Sequence, residues 1–234
     1  MALHIGIVAC SAEGAALCYQ TICKEGPSKL GPHKHPEVSM HTPPLSKYVD
    51  FLQAGNWQAV GELMLDSATK LAAIGADFLI CPDNTIHNAL DMVEDKSPVP
   101  WLHIARVVSE EAHRRGMKKL GLMGTRWLVE SDTYPRKLSE LGIGCIIPSK
   151  EARIELDRII MEELVYGKFL KPSIKYLQSV ISGFSDDNCD AVALVCTELP
   201  LVINDNNSKL PTLDSTRLLA RAALKYAIDT DRAI

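Results

Sequence analysis

The 234-residue chain sets 25 Lys and Arg against 29 Asp and Glu, a net charge of −4, with 47% hydrophobic and 23% charged residues. This is the balance of an ordinary globular protein with enough apolar side chain for one large core or two smaller ones. The scattered cations exclude an electrostatic footprint for nucleic acid or anionic membrane, and no apolar run reaches the roughly 18 residues that span a bilayer. Seven cysteines, an odd number without paired spacing, argue against a disulfide framework and for a reduced, cytoplasmic setting.

In chain order, LHIGIVAC (3–10) reads as a first strand, without the basic leader of a signal peptide. Residues 11–26 carry helical periodicity, EVSMHT (37–42) a second strand, and residues 57–76 an amphipathic helix stopping near Gly75. DFLICP (77–82) follows as a buried strand and residues 107–117 as a helix. Next come a strand over 118–125, a helix over 134–142 with Pro135 near its first turn, and a strand over 143–148. Long helices over 152–167 and 172–184, a buried strand over 190–196 and a helix over 215–228 complete the chain. Short apolar runs alternating with helices predict an α/β fold with parallel sheets.

A repeat runs through this pattern. ADFLICPDNT places Asp77 six residues before Asp83, and CDAVALVCTE places Asp190 six residues before Cys196. HIGIVACS and KLGLMGTR also correspond, with Gly6 against Gly121 and Cys10 against Thr125. Nearly equal stretches of chain separate the members of each pair. The expectation is two similar three-layer α/β/α domains, 1–100 and 101–213, related by a pseudo-twofold, with the last helix (about 214–230) packing back on the first.

Ligands of open parallel sheets bind beyond the carboxyl ends of the strands. Four such ends carry Cys10–Ser11, Asp83–Asn84–Thr85, Thr125 and Cys196–Thr197–Glu198. If the halves face each other, Asp83 and Cys196 approach one cleft from opposite sides. Ser11, Asn84, Thr85, Thr125 and Thr197 then offer donors to a small carboxylate. From the residues alone, Asp83 is as readily a helix cap and Cys196 a packed strand-end thiol. His33, His35 and His41 stand in the Pro-rich stretch GPHKHPEVSMHTPP; the H-x-H spacing suggests a metal, but no Cys or acidic cluster accompanies it, and the stretch reads better as a cleft cover. No glycine-rich turn has the spacing of a phosphate cradle.

DNTIH and CTELPL resemble the two signature motifs of the aspartate/glutamate racemase family, commonly C-N-T-x-H and G-C-T-E. WLHIA, LGLMGTRW, YPRKL, IIMEELVYGKF and PTLDSTRLLARAA resemble further segments of that family in the same order, across essentially the whole chain. The resemblance implies an isomerase without cofactor or metal, usually a homodimer, that inverts the α-carbon of aspartate or glutamate between two cysteines. Cys196 stands in the second position, and Asp83 replaces the first. A carboxylate serves as a general base when its environment suits the task.

The expected pair is therefore Asp83 and Cys196, turning over faster from one enantiomer. Ser11, Asn84, Thr85, Thr125, Thr197 and Glu198 are expected to bind substrate, Glu198 either capping the next turn or orienting the thiol. Lys168, or alternatively Lys47, meets the side-chain carboxylate. His87 and Cys10 stand behind these groups. Two alternatives stay open: a single-cysteine relative acting on malonates or maleate, and a homologue that binds an amino acid without catalysis.

Overall fold

A computed structural model describes residues 2–229. Met1, and residue 230 of the helix expected over 214–230, lie outside that range. The chain begins with β1 (Ile5–Val8), α1 (Ala12–Glu25), α2 (Pro27–Leu30), β2 (Val38–His41), α3 (Leu45–Gln53), α4 (Trp57–Ala73) and β3 (Phe78–Ile80). A 3₁₀ segment (Thr85–Met92), β4 (Trp101–Leu102), α5 (Ile104–Arg114), β5 (Lys119–Met123), α6 (Arg126–Val129) and α7 (Thr133–Ser139) follow. Then come β6 (Gly144–Ile146), α8 (Lys150–Glu162), α9 (Lys171–Asp186), β7 (Ala191–Leu194), β8 (Thr212–Asp214) and α10 (Ser215–Ile228).

Two compact units result, one holding the chain up to Ile104 and from Thr216 onward, the other Ala105–Ser215. Each contains a four-stranded, wholly parallel sheet, in the order β2-β1-β3-β4 and β6-β5-β7-β8. The order is the same in both: the first and third strands lie side by side, and the chain winds outward from that pair in opposite directions. Helices cover both faces of each sheet, so β1 and β7 are buried at every residue and show no polar alternation.

The repeated residues have matching structural reasons. Asp77 Oδ2 accepts the backbone N–H of His4 at 2.7 Å, just before β1. Asp190 Oδ2 accepts those of Lys118 and Lys119 at 2.6 and 2.9 Å, where β5 begins. Each carboxylate therefore fixes the entry of the neighbouring first strand, and the two amides hold the Asp190 carboxyl below its usual range. Gly6 and Gly121 let a neighbour approach closely. A Cβ on Gly6 would lie 2.6 Å from Leu79 Cδ2, and one on Gly121 would run into the Phe184 ring of α9.

Capping chemistry sets helix ends as the sequence suggests. Asn56 Oδ1 accepts the Ala59 N–H to open α4, and Gly75, at φ 95°, turns the chain away after it. Helix α10 belongs to the first unit, where the Tyr226 ring meets Phe78 edge-on at 4.8 Å and Arg221 forks onto Glu25. In the second unit, Met123, Leu156, Ile160, Leu177, Ile181, Phe184 and Leu194 share one core.

Candidate active site

The first and third strands of each unit define its topological switch point, where an open sheet leaves a crevice at the strand ends. In the first unit β1 delivers Cys10 and Ser11 there, and β3 delivers Asp83, Asn84 and Thr85. In the second, β5 delivers Thr125, and β7 delivers Cys196, Thr197 and Glu198. Within each unit, these residues thus follow the ends of two neighbouring strands. Cys10, Ser11, Asn84, Thr85, Thr125, Cys196, Thr197 and Glu198 are all buried, and Asp83 is half-buried.

Asp83 sits in a backbone turn that its own carboxylate organises. Oδ1 accepts the N–H of Thr85 at 3.0 Å and of Ile86 at 3.4 Å, opening the 3₁₀ segment. The capping geometry foreseen for an Asp-Asn-Thr run is present, and it fixes the orientation of the carboxylate. Cys81, two residues earlier, donates its thiol to the Asp83 carbonyl at 3.6 Å, and full burial pushes that thiol well above its ordinary pKa. It is a fully buried, packed thiol.

His87 closes the same turn. Its Nε2 donates to the Cys81 carbonyl at 3.0 Å, and its ring lies 4.7 Å from that of His103. Burial lowers its pKa to about 4, so the ring is neutral at physiological pH. Tyr48 of α3 is an additional neighbour that the sequence reading passed over. It is fully buried, and its hydroxyl pKa is raised by burial and by the proximity of Cys10, Cys81 and Asp83. The signal was local: Tyr48 and Leu52 recur at helical spacing on the buried face of α3.

The neutral state of His87 has a consequence for stability. An unfolded histidine takes up a proton near pH 6.5, whereas the folded one resists it down to about 4. The unfolded state therefore binds more protons in that window, and stability falls as pH drops through it, by up to about 3 kcal/mol. Urea unfolding of the wild type and His87→Asn at pH values across the window is expected to show a shallower acid loss in the variant.

In the second unit, Cys196 Sγ donates to Glu198 Oε2 at 3.0 Å, and Thr197 Oγ1 donates to the same oxygen at 2.7 Å. Glu198 thus receives the thiol, which settles the choice between capping and thiol contact left open by sequence. Lys47, on α3, and Lys168 are exposed. Lys168 Nζ lies 5.6 Å from the centre of the Tyr166 ring, in a segment pinned by buried Glu163, which accepts from Ser173 and Arg158. In the Pro-rich stretch, Val38–His41 is β2, and His41 pairs with Ser67 of α4 at 2.9 Å. Among the described residues no three His, Cys, Asp or Glu side chains converge as a metal site, and no helix is long and apolar enough to cross a membrane.

Comparison with known proteins agrees with this architecture. A candidate Asp/Glu racemase from Yersinia pestis superposes with a TM-score of 0.88 at 28% identity, covering 97% of this chain and 100% of that one. An aspartate racemase homologue from Pyrococcus horikoshii gives 0.83 at 27% identity, covering 98% and 100%. The broad specificity amino-acid racemase RacX of Bacillus subtilis is 23% identical over 81% of each chain. The model of the Asp/Glu/hydantoin racemase family matches residues 7–223, nearly the whole length, and the chain belongs to that family.

Proposed function

We propose that the protein is a racemase of aspartate or glutamate in which Asp83 and Cys196 exchange the α-proton on opposite faces of the substrate. The observation that carries this reading is positional equivalence. Asp83 and Cys196 each follow the third strand of an identically ordered sheet, and in each sheet that strand pairs with the first. Asn84, Thr85, Thr125 and Thr197, with Ser11, supply donors for the α-carboxylate and for the negative charge that develops at it on deprotonation. Lys168 or Lys47 serves the side-chain carboxylate. The reading carries with it a homodimer working in the cytoplasm, in keeping with seven cysteines that form no disulfide among the described residues.

An Asp/Cys pair is chemically unequal, with ordinary pKa values of about 3.9 and 8.5. Enantiomers have equal free energy, so kcat/KM is the same in both directions. The inequality of the pair emerges as different kcat values balanced by different KM values.

Incubation with each enantiomer of aspartate, glutamate and several neutral amino acids, followed by chiral chromatography, tests the assignment. Interconversion confined to the acidic pair is the expected result. Loss of CO2 from a malonate, isomerisation of maleate, or ligand-induced stabilisation without turnover would replace it with one of the other readings.

A further inference from the structure

The mechanism just described leaves one group unused. Glu198 is a buried carboxyl, 3% exposed, holding the thiol of Cys196 at 3.0 Å and the hydroxyl of Thr197 at 2.7 Å, both on Oε2. Its other oxygen, Oε1, is buried and has no hydrogen-bond partner among the described residues. Two donors crowd one oxygen while none meets the other. A carboxylate anion so placed is only half satisfied, and an unsatisfied charged oxygen out of water is costly.

Proton delivery by Cys196 would add a second negative charge beside it. A thiolate and a carboxylate 3.0 Å apart in a buried pocket repel strongly, which disfavours formation of the thiolate that racemisation requires. The same short contact offers the remedy, because a proton moving along it leaves only one negative charge on the pair.

We propose, building on the racemase reading, that Glu198 acts through Cys196 as the holder of its proton. When Cys196 is to abstract from Cα, its S–H bond breaks and an O–H bond forms on Glu198 Oε2, leaving the electron pair on sulfur. The thiolate then takes the Cα proton while protonated Asp83 delivers its own to the opposite face. In the reverse turnover Cys196 gives its proton to Cα and Asp83 takes one up. Glu198 keeps its proton throughout, so the new thiolate faces a hydroxyl donor and not an anion. Protons and charge balance in both directions, and no other reactant is needed.

This role and a merely structural one predict opposite signs in one measurement. Iodoacetamide alkylation of Cys196, followed by mass spectrometry of its peptide, is measured against pH in the full-length wild type, Glu198→Gln and Glu198→Asp. Glutamine is isosteric, and thermal unfolding confirms that each variant is folded. If Glu198 takes the thiol proton, Glu198→Gln reacts roughly tenfold or more slowly near pH 6 and catches up in the alkaline range, while Glu198→Asp recovers part of the loss. An equal or faster rate in Glu198→Gln would mean that the carboxylate only suppresses the thiolate, and would overturn the proposal. So would a wild-type Cys196 that reacts at no pH, because a thiol beyond reach of so small a reagent is no base for Cα. Wild-type racemisation is measured in parallel. Its absence would sink the racemase reading while leaving the alkylation result to decide the Cys196–Glu198 partnership.

Discussion

Replacing Cys196 by Ser, or Asp83 by Asn, is expected to lower kcat/KM for racemisation by about 10²–10⁴-fold, the range over which a positioned acid or base contributes. The double variant should fall little further than either single one, because each proton transfer is useless without its counterpart. Asp83→Asn keeps the size of the side chain and its Oδ1 acceptor for Thr85 and Ile86, so the turn survives and the loss reports chemistry. Cys81→Ser is the control. The Cys81 thiol is fully buried and committed to the Asp83 carbonyl, so its replacement should leave most activity in place. A Cys81→Ser variant as inactive as Cys196→Ser would move the base to Cys81. Asp83→Cys, which writes the family's thiol into this position, is expected to remain active and to bring the two kcat values closer together.

The second large effect is on stability. Gly121→Ala puts a methyl group into the Phe184 ring, whose side chain is 3% exposed within the core of the second unit. The ring has little room to yield, and overpacking of this kind costs typically about 1–3 kcal/mol. For a chain of this size that lowers Tm by roughly 3–10 °C. Gly6→Ala makes the corresponding contact with Leu79 Cδ2, the far end of a flexible side chain, and is expected to cost less. Adding Phe184→Leu to Gly121→Ala should restore part of the loss, giving a clear non-additivity in thermal unfolding. Equal, additive losses at the two glycines would show that the close approach of Phe184 is not what fixes Gly121.

The repeat was legible because two different physical needs recur in it. An Asp must anchor the neighbouring strand's entry, and a Gly must admit a large side chain onto the sheet. The pairs Asp77/Asp190 and Gly6/Gly121 record both. Strands β4 and β8 were not legible, since two or three residues such as Trp101–Leu102 carry no periodicity and owe their pairing to the strand beside them. Helix α3 escaped notice behind the prolines at 43 and 44, and Tyr48 with it. In the candidate site, the strand-end positions of Asp83 and Cys196 could be read from the apolar runs before them. The hydrogen bonds could not. Asp83 capping its own turn, Cys81 committed to a carbonyl and Glu198 gathering two donors on one oxygen depend on backbone directions that residue order leaves open.

The most direct test of the central claim is α-proton exchange in D2O, followed by NMR and chiral analysis at early times. With aspartate or glutamate as substrate, the two-group account predicts deuterium at Cα of the inverted product, while unconverted substrate keeps its proton. The abstracting group and the delivering group differ, so the proton taken is not the one returned. Deuterium entering the substrate without inversion would point to a single base on one face. No exchange from either enantiomer of either acid would contradict racemisation by Asp83 and Cys196 altogether.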